Sequence, residues 1–527
     1  MTNYLNIFSR KAAAVTPQAQ AIPNTAPNSA GGYAFAIDDW ARLDRFLILG
    51  SEGGSYYAGE RVLTRENAAA ALRAIQADGA RTVARIVEIS AAGRAPKNDP
   101  ALFALALAAS AQDPATRRAA LAALPKVART GTHLFQFAEF VQGSRGWGRA
   151  LRRAVGAWYL GQPVDRLAYH LVKYRQRNGW SHRDLLRLSH PATAEPARAA
   201  LLDWVCRGTQ SEALPSLVDA AVALSRSANG AEAASLIRAE NLPREAVPTE
   251  LLNDPAVWEA LLERMPLTAL VRSLAKLTSV GVVRPFSDAL PLVLSALADA
   301  ERIAAARLHP LAILLALRTY AQGHGDRGPL RWEPVQSVVD ALNAAFYTAF
   351  RVVEPTGKRL LLALDVSGSM AIGRVAGSSL TPREASAAMA LMTAATEANT
   401  HIVGFTGGMV QLPLSASMRL DDAVQAVSGL PFERTDCAQP MLYALARGLK
   451  VDAFVVYTDS ETWAGSIHPV QALRQYRAQT GIAAKLVVVG MVSNGFSIAD
   501  PDDAGMLDVV GFDTATPAVI ADFVRQD

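Results

Sequence analysis

From about residue 38 to residue 350 apolar side chains recur at three- and four-residue spacing, with almost no strand-like alternation, and the pattern then stops within a few residues. Pro and Gly break it at Glu354-Pro355-Thr356-Gly357, and Arg359 to Leu364 follows as a short apolar run suited to a buried parallel strand. A chain of 527 residues exceeds what one hydrophobic core usually serves. The break therefore divides it into an all-α domain, residues 33–355, and an α/β domain, residues 356–527. Residues 1–32, rich in Ala, Pro, Asn, Gln and Gly without either period, read as a flexible or loosely pinned leader.

Within the first domain, Asp99-Pro100, Asp113-Pro114 and Asp254-Pro255 each read as a helix start, with Asp capping free amides and Pro at the first helical position. Short helices with short joints over some 300 residues point to stacked helix pairs of the HEAT-like kind, with a compact multi-helix domain as the alternative. In the second domain, strands at His401 to Phe405, Ala453 to Thr458 and Lys485 to Met491 alternate with helices near 383–399, 438–449 and 469–479. That order predicts a doubly wound sheet.

The two cysteines, Cys206 and Cys437, supply neither a disulfide framework nor a zinc ligand set, which implies a reducing compartment. No segment approaches the roughly 18 apolar residues of a membrane span, and the N-terminus lacks a charged start leading into an apolar stretch. A soluble, cytoplasmic protein without a membrane partner is expected. The net charge of +4 divides unevenly: residues 1–355 carry 40 Lys/Arg against 31 Asp/Glu, and residues 356–527 carry 12 against 17. A polyanion is expected to dock on the first part.

Ligands of doubly wound sheets bind beyond the carboxyl ends of the strands, where Asp365-Val366-Ser367-Gly368-Ser369 stands. Mg²⁺ takes six oxygens and keeps several waters, which one carboxylate and two hydroxyls suit. Arg434-Thr435-Asp436 adds a hydroxyl, and Tyr457-Thr458-Asp459-Ser460-Glu461 adds a carboxylate after another strand. Asp365, Ser367, Ser369, Thr435 and Asp459 together resemble the metal-ion-dependent adhesion site of von Willebrand A domains. The resemblance implies that Ser367, Ser369 and Thr435 touch the metal, and that Asp365 and Asp459 hold its waters. One position is left open for an acidic ligand of a partner. Neither a histidine at a predicted strand end nor a phosphate loop nor a His-Glu-x-x-His motif accompanies these loops, so no catalytic residue is assigned.

Residues 141–190 hold ten Arg/Lys, Arg145 among them, against Asp165 and Asp184, interleaved with Trp147, Trp158, Tyr159, Tyr169, Tyr174 and Trp180. Phosphates and unstacked bases are bound by such a mixture, which makes RNA the natural partner; the bland alternative is solvated helix faces over an aromatic core. The run from Lys173 to His190, Lys-Tyr-Arg-Gln-Arg-Asn-Gly-Trp-Ser-His-Arg-Asp-Leu-Leu-Arg-Leu-Ser-His, resembles the TROVE module of the Ro autoantigen family. So does Arg45 to Tyr57, whose Gly50-Ser51-Glu52-Gly53-Gly54 would otherwise read as a tight inter-helix turn. Gly146 to Arg152 and Tyr457 to Trp463 are similar too, so the chain is identified as a bacterial member of that family from about residue 38 onward.

Membership implies a ring of HEAT-like repeats closed by a von Willebrand A domain, binding Y RNA on its outer surface and single-stranded 3′ ends of misfolded RNA in its central hole. It also implies work beside 3′-to-5′ exoribonucleases such as polynucleotide phosphorylase, in RNA quality control, rRNA maturation and stress survival. Family positions that contact Y RNA fall on Lys173 and His190; charge and spacing add Arg175, Arg177, His182 and Arg183. The rivals are a metal-dependent protein–protein adhesion scaffold and a metal-dependent nuclease.

Overall fold

The computed structural model describes residues 15–144, 146–325, 328–350, 354–375, 378–431, 433–513 and 515–526; Arg145 and the first fourteen residues of the leader lie outside them. From Asp39–Leu49 to Gln336–Thr348 the chain is helical apart from one two-residue hairpin pair, and the helices pack chiefly on those one to three places along, as in a stacked array. Asp113 and Asp254 cap their helices as the sequence predicts, accepting from the amides of Thr116 and Ala256. Asp99 does not: Asn98 occupies the cap position, and Asp99, one residue inside, accepts from Gln136 of a neighbouring helix.

The array closes on itself. Arg307 Nη1 donates to the carbonyl of Ala91 at 2.6 Å, and His309 Nε2 lies 3.3 Å from the carbonyl of Arg94, joining segments more than 200 residues apart. A cavity of about 770 Å³ lies at this closure, with Lys97, Arg129, Arg272 and Arg307 in its wall.

Eleven strands occur among the described residues: β1 (Thr25–Pro27), β2 (Tyr33–Ala36), β3 (Gln176–Arg177), β4 (Trp180–Ser181), β5 (Leu360–Asp365), β6 (Thr400–Phe405), β7 (Met409–Val410), β8 (Ala453–Thr458), β9 (Lys485–Gly490), β10 (Phe496–Ser497) and β11 (Met506–Val510). The main sheet has the order β11-β9-β8-β5-β6-β7, parallel except for β7. Central β5 and β8 are buried at every residue, as a strand covered on both faces must be. The helices expected near 383–399, 438–449 and 469–479 appear as Pro382–Thr396, Gln439–Ala446 and Pro469–Thr480. The helix Leu420–Ser428 and edge strand β11, whose apolar run Asp508 interrupts, were not foreseen.

Residues 15–32 are not a loose leader. β2 pairs with β1 and with β10, Phe496 opposite Ala36, so the segment is stitched to the α/β domain. Gln18 is fully buried there, donating to Asp436 Oδ1 at 2.6 Å and to the carbonyl of Ile467 at 2.8 Å. Composition alone hid this, because the partners sit more than 400 residues away.

Both flanks of the array rest on the same α/β domain. On one side the guanidinium of Arg45, 1% exposed, meets Asp508 at 2.6 Å, and Arg94 reaches the carbonyl of Val510 at 3.0 Å. On the other, Arg318 pairs with Glu384 at 3.1 Å and Arg419 with Asp340 at 2.7 Å.

Candidate functional site

The first candidate is a cup at the carboxyl ends of β5 and β8. Asp365, the last residue of β5, is fully buried; its Oδ1 accepts from the Ser367 amide at 3.0 Å and its Oδ2 from the Thr458 hydroxyl at 2.6 Å. Beyond it the chain makes one tight turn, Gly368–Ala371, which sets the Ser367 and Ser369 hydroxyls 3.2 Å apart. Arg383, on the following helix and 1% exposed, fixes this loop from behind by donating to the carbonyls of Val366 and Ser367 at 2.5 and 2.7 Å.

Thr435 and Asp459 come from the two loops facing Asp365. The Thr435 carbonyl accepts from the amides of Trp463 and Ala464, tying the second loop to the third, while Asp459 Oδ1 accepts from the Glu461 amide at 3.1 Å. Asn494 braces the third loop, donating to the Asp459 carbonyl at 2.7 Å and to Glu461 at 3.2 Å, and its own Oδ1 accepts from Arg45 at 2.9 Å. The structure thus brings all five residues read from the sequence into one place. Thr458, Arg383, Asn494 and Glu461, which hold them there, were missed; each lies beside a motif residue or arrives from a distant segment.

The electrostatics of the cup favour a cation. Burial pushes the Asp365 and Glu461 carboxyls upward, and burial together with the charges of Asp365 and Glu461 pushes Asp459 up to about 8. Arg383 acts on Asp365 through its charge alone, because its Nη1 and Nη2 donate to backbone carbonyls. Among the described residues no group of three or more His, Cys, Asp or Glu has metal-binding geometry, so a metal here must lean on hydroxyls. Three serine and threonine hydroxyls backed by crowded carboxylates are the donor set of a hard divalent ion. Gly368, Ser369 and Thr435 open into a cavity of about 600 Å³, shared with Tyr57, Arg434 and Trp463.

The second candidate is the basic stretch. Helix Val164–Lys173 leads through the β3–β4 hairpin into helix His182–Ser189, whose start is set by a reciprocal Ser181–Asp184 capping box. Arg149, Arg152, Arg153, Arg166, Arg175, Arg177, Arg183 and Arg187 are exposed and make no ion pair among the described residues. Lys173 is half-buried, its ammonium 5.3 and 5.5 Å from the Tyr169 and Tyr174 rings and 3.3 Å from the Tyr169 hydroxyl. His190 closes the helix in the left-handed conformation and is exposed.

His182 must be withdrawn from the surface set. It is 2% exposed, its Nδ1 lies 2.8 Å from the Tyr159 hydroxyl, and a side chain at Gly131 would collide with its ring. The signal was present: His182, Leu185 and Leu186 stand at three- and four-residue spacing and are the buried face of that helix. Trp158 and Tyr159 are likewise core residues, whereas Trp147 and Trp180 are half-buried and pack together at 5.4 Å.

A stacked helical array carrying a basic stretch, joined to a parallel-sheet domain with a hydroxyl-lined cup, defines a TROVE module coupled to a von Willebrand A domain. Residues 26–215 and 235–319 match the TROVE domain, and residues 359–524 match the Ro60 vWA domain. The chain belongs to the Ro60 family. It is 44% identical to the RNA-binding protein RO60 of Deinococcus radiodurans, over 94% of this chain and 95% of that protein. It is 37% identical to the RNA-binding protein RO60 of Caenorhabditis elegans, over 94% of this chain and 89% of that one. The crystal structure of the D. radiodurans RO (RSR) protein superposes with a TM-score of 0.68 at 43% identity, covering 93% of this chain and 99% of that one.

Proposed function

We propose that this chain is an RNA-binding ring, not an enzyme. It takes Y RNA on the outer surface formed by residues 173–190 and single-stranded 3′ ends of misfolded or immature RNA at the opening of the helical array. The bound RNA is passed to 3′-to-5′ exoribonucleases such as polynucleotide phosphorylase, in RNA quality control, rRNA maturation and stress survival. The observation that carries this reading is the row of exposed arginines without acidic partners among the described residues around Lys173, a charge held in place by two tyrosine rings. Unpaired, solvent-facing guanidinium groups are available to phosphates. The names of the two relatives support RNA as the ligand class. The basic wall of the cavity at the array's closure supports a single-stranded segment there.

Mg²⁺ is the proposed occupant of the cup, held by Ser367, Ser369 and Thr435 with Asp365 and Asp459 orienting its waters. Its open position faces the cavity that Arg434 lines, a charge complement for an acidic group of a partner.

The test pairs Lys173→Ala with His190→Ala and measures, by fluorescence anisotropy, the affinity of a Y-type stem–loop RNA over a range of salt. About tenfold weaker binding is expected, with the log–log salt slope shallower by about 1 for each phosphate that is no longer neutralised, and the thermal unfolding curve unchanged. Unaltered affinity and slope would remove these residues from the interface.

A further inference from the structure

The cup is not built by the α/β domain alone. Between helices Asp39–Leu49 and Glu60–Ala77 the helical domain sends a turn across to it. Gly53 and Gly54 are both left-handed, at φ +85° and +63°, and a Cβ on Gly53 would sit 2.5 Å from the Cβ of Arg374. Gly373 in turn lies against the carbonyl of Gly54, where an added Cβ would come within 3.0 Å. Such an approach needs residues without side chains on both sides. It carries Tyr56 and Tyr57 to the mouth of the cup, where both line the same cavity as Ser369 and Thr435.

Tyr57 is half-buried, its ring 4.9 Å from that of Tyr56. Burial, and then the charges of Asp459, Glu461 and Asp365, push its phenol well above the ordinary range, so the hydroxyl keeps its proton at any physiological pH. A neutral phenol facing carboxylates and hydroxyls is a hydrogen-bond donor awaiting an oxygen.

We infer that Tyr57 is the helical domain's share of the metal site: its hydroxyl donates to the oxygen at the metal's open coordination position, so that metal binding fastens the turn of residues 50–59 to the α/β domain. That oxygen is a water in the resting protein and a carboxylate when an acidic partner docks. Tyr57 is thus a positioning residue, and the metal acts as a clasp between the domains. This rests on the Mg²⁺ reading proposed above.

The test uses the full chain. Hydrogen exchange of peptides spanning residues 50–59 is followed with and without Mg²⁺, in the unaltered protein, Tyr57→Phe and Asp365→Ala. Metal affinity is measured in parallel from the free-ion electron paramagnetic resonance signal of Mn²⁺. Mg²⁺ should slow exchange of the turn about tenfold in the unaltered protein, a change worth about 1.4 kcal/mol. Tyr57→Phe, which keeps the ring, should lose that slowing while still binding Mn²⁺ with affinity reduced only a few-fold. Asp365→Ala should lose both. The inference is overturned if Mn²⁺ binds the unaltered protein yet Mg²⁺ leaves the turn unchanged, or slows it equally in Tyr57→Phe; the metal reading then stands. If the unaltered protein binds no Mn²⁺, the metal reading falls and takes the clasp with it.

Discussion

Asp459 sits where a carboxylate is least comfortable, fully enclosed and beside two others. Its folded pKa of about 8 lies above the ordinary 3.8, so between these values the folded chain holds a proton that the unfolded chain has released. Without metal, the contribution of this carboxyl to stability should therefore fall as pH rises from about 4 to about 8. Mg²⁺, which prefers the ionised form, should reverse the trend at the upper end. Thermal unfolding after chelation at about pH 6 and about pH 8 checks this: the midpoint should drop at the higher pH, recover on adding Mg²⁺, and stop depending on pH across this range in Asp459→Asn. Asp365, Ser367, Ser369 and Asp459 were legible because they stand at strand ends in fixed short motifs, and Thr435, in the loop after helix Leu420–Ser428, through its match to the family pattern. Tyr57 and Asn494 were not, since nothing local to Gly53-Gly54-Ser55 or Ser493-Asn494-Gly495 reveals that they end beside Asp459.

At the level of the element, helix His182–Ser189 shows why counting charges misassigns a surface. One face carries Arg183 and Arg187 outward, and the other plants His182 among Phe135, Trp158 and Tyr159. Burial depresses His182 to about 3, and His133 and His170 to about 4. These rings stay neutral in the fold, while the unfolded chain takes up protons below about 6.5. The stability they permit is thus full above about pH 6.5 and is lost as pH falls toward about 4. In Asp459→Asn, where the opposing carboxyl is removed, urea unfolding midpoints should be lower at about pH 5 than at about pH 7; equal midpoints would show that these histidines are wetter than the fold implies. The direction is opposite to that of Asp459, which separates the two effects. Of the architecture, strands β5, β6, β8 and β9 were legible to within about a residue because β5, β8 and β9 are almost continuous buried runs and β6 is buried over its last three residues, whereas β11 was obscured by Asp508, whose carboxylate serves Arg45.

In the whole molecule, that ion pair joins the domains. Arg45 donates to Asp508, to Asn494 and to the carbonyl of Phe496, and Asn494 in turn holds the Asp459 loop. Arg45→Ala removes a buried guanidinium and strands its acceptors, at a cost of about 3 kcal/mol given that Asp508 keeps some contact with solvent. The expected outcome is a lowered unfolding midpoint together with weaker Mn²⁺ affinity, because the brace of the metal loop is gone. An unchanged midpoint would mean that the domains are held chiefly by other contacts.

The pairing of β2 with β10 bears on how the protein is made. A ribosome delivers Tyr33–Ala36 long before Phe496–Ser497, so the strand waits for its neighbour while the whole helical array and most of the α/β domain are made. Until then β2 has only β1 beside it, and its other edge lies open to any extended segment nearby. The helical array can fold as it emerges, but the loop bearing Asp459 receives Asn494 only after β9 has been made. Completion of the cup accordingly waits until Asn494 has been synthesised.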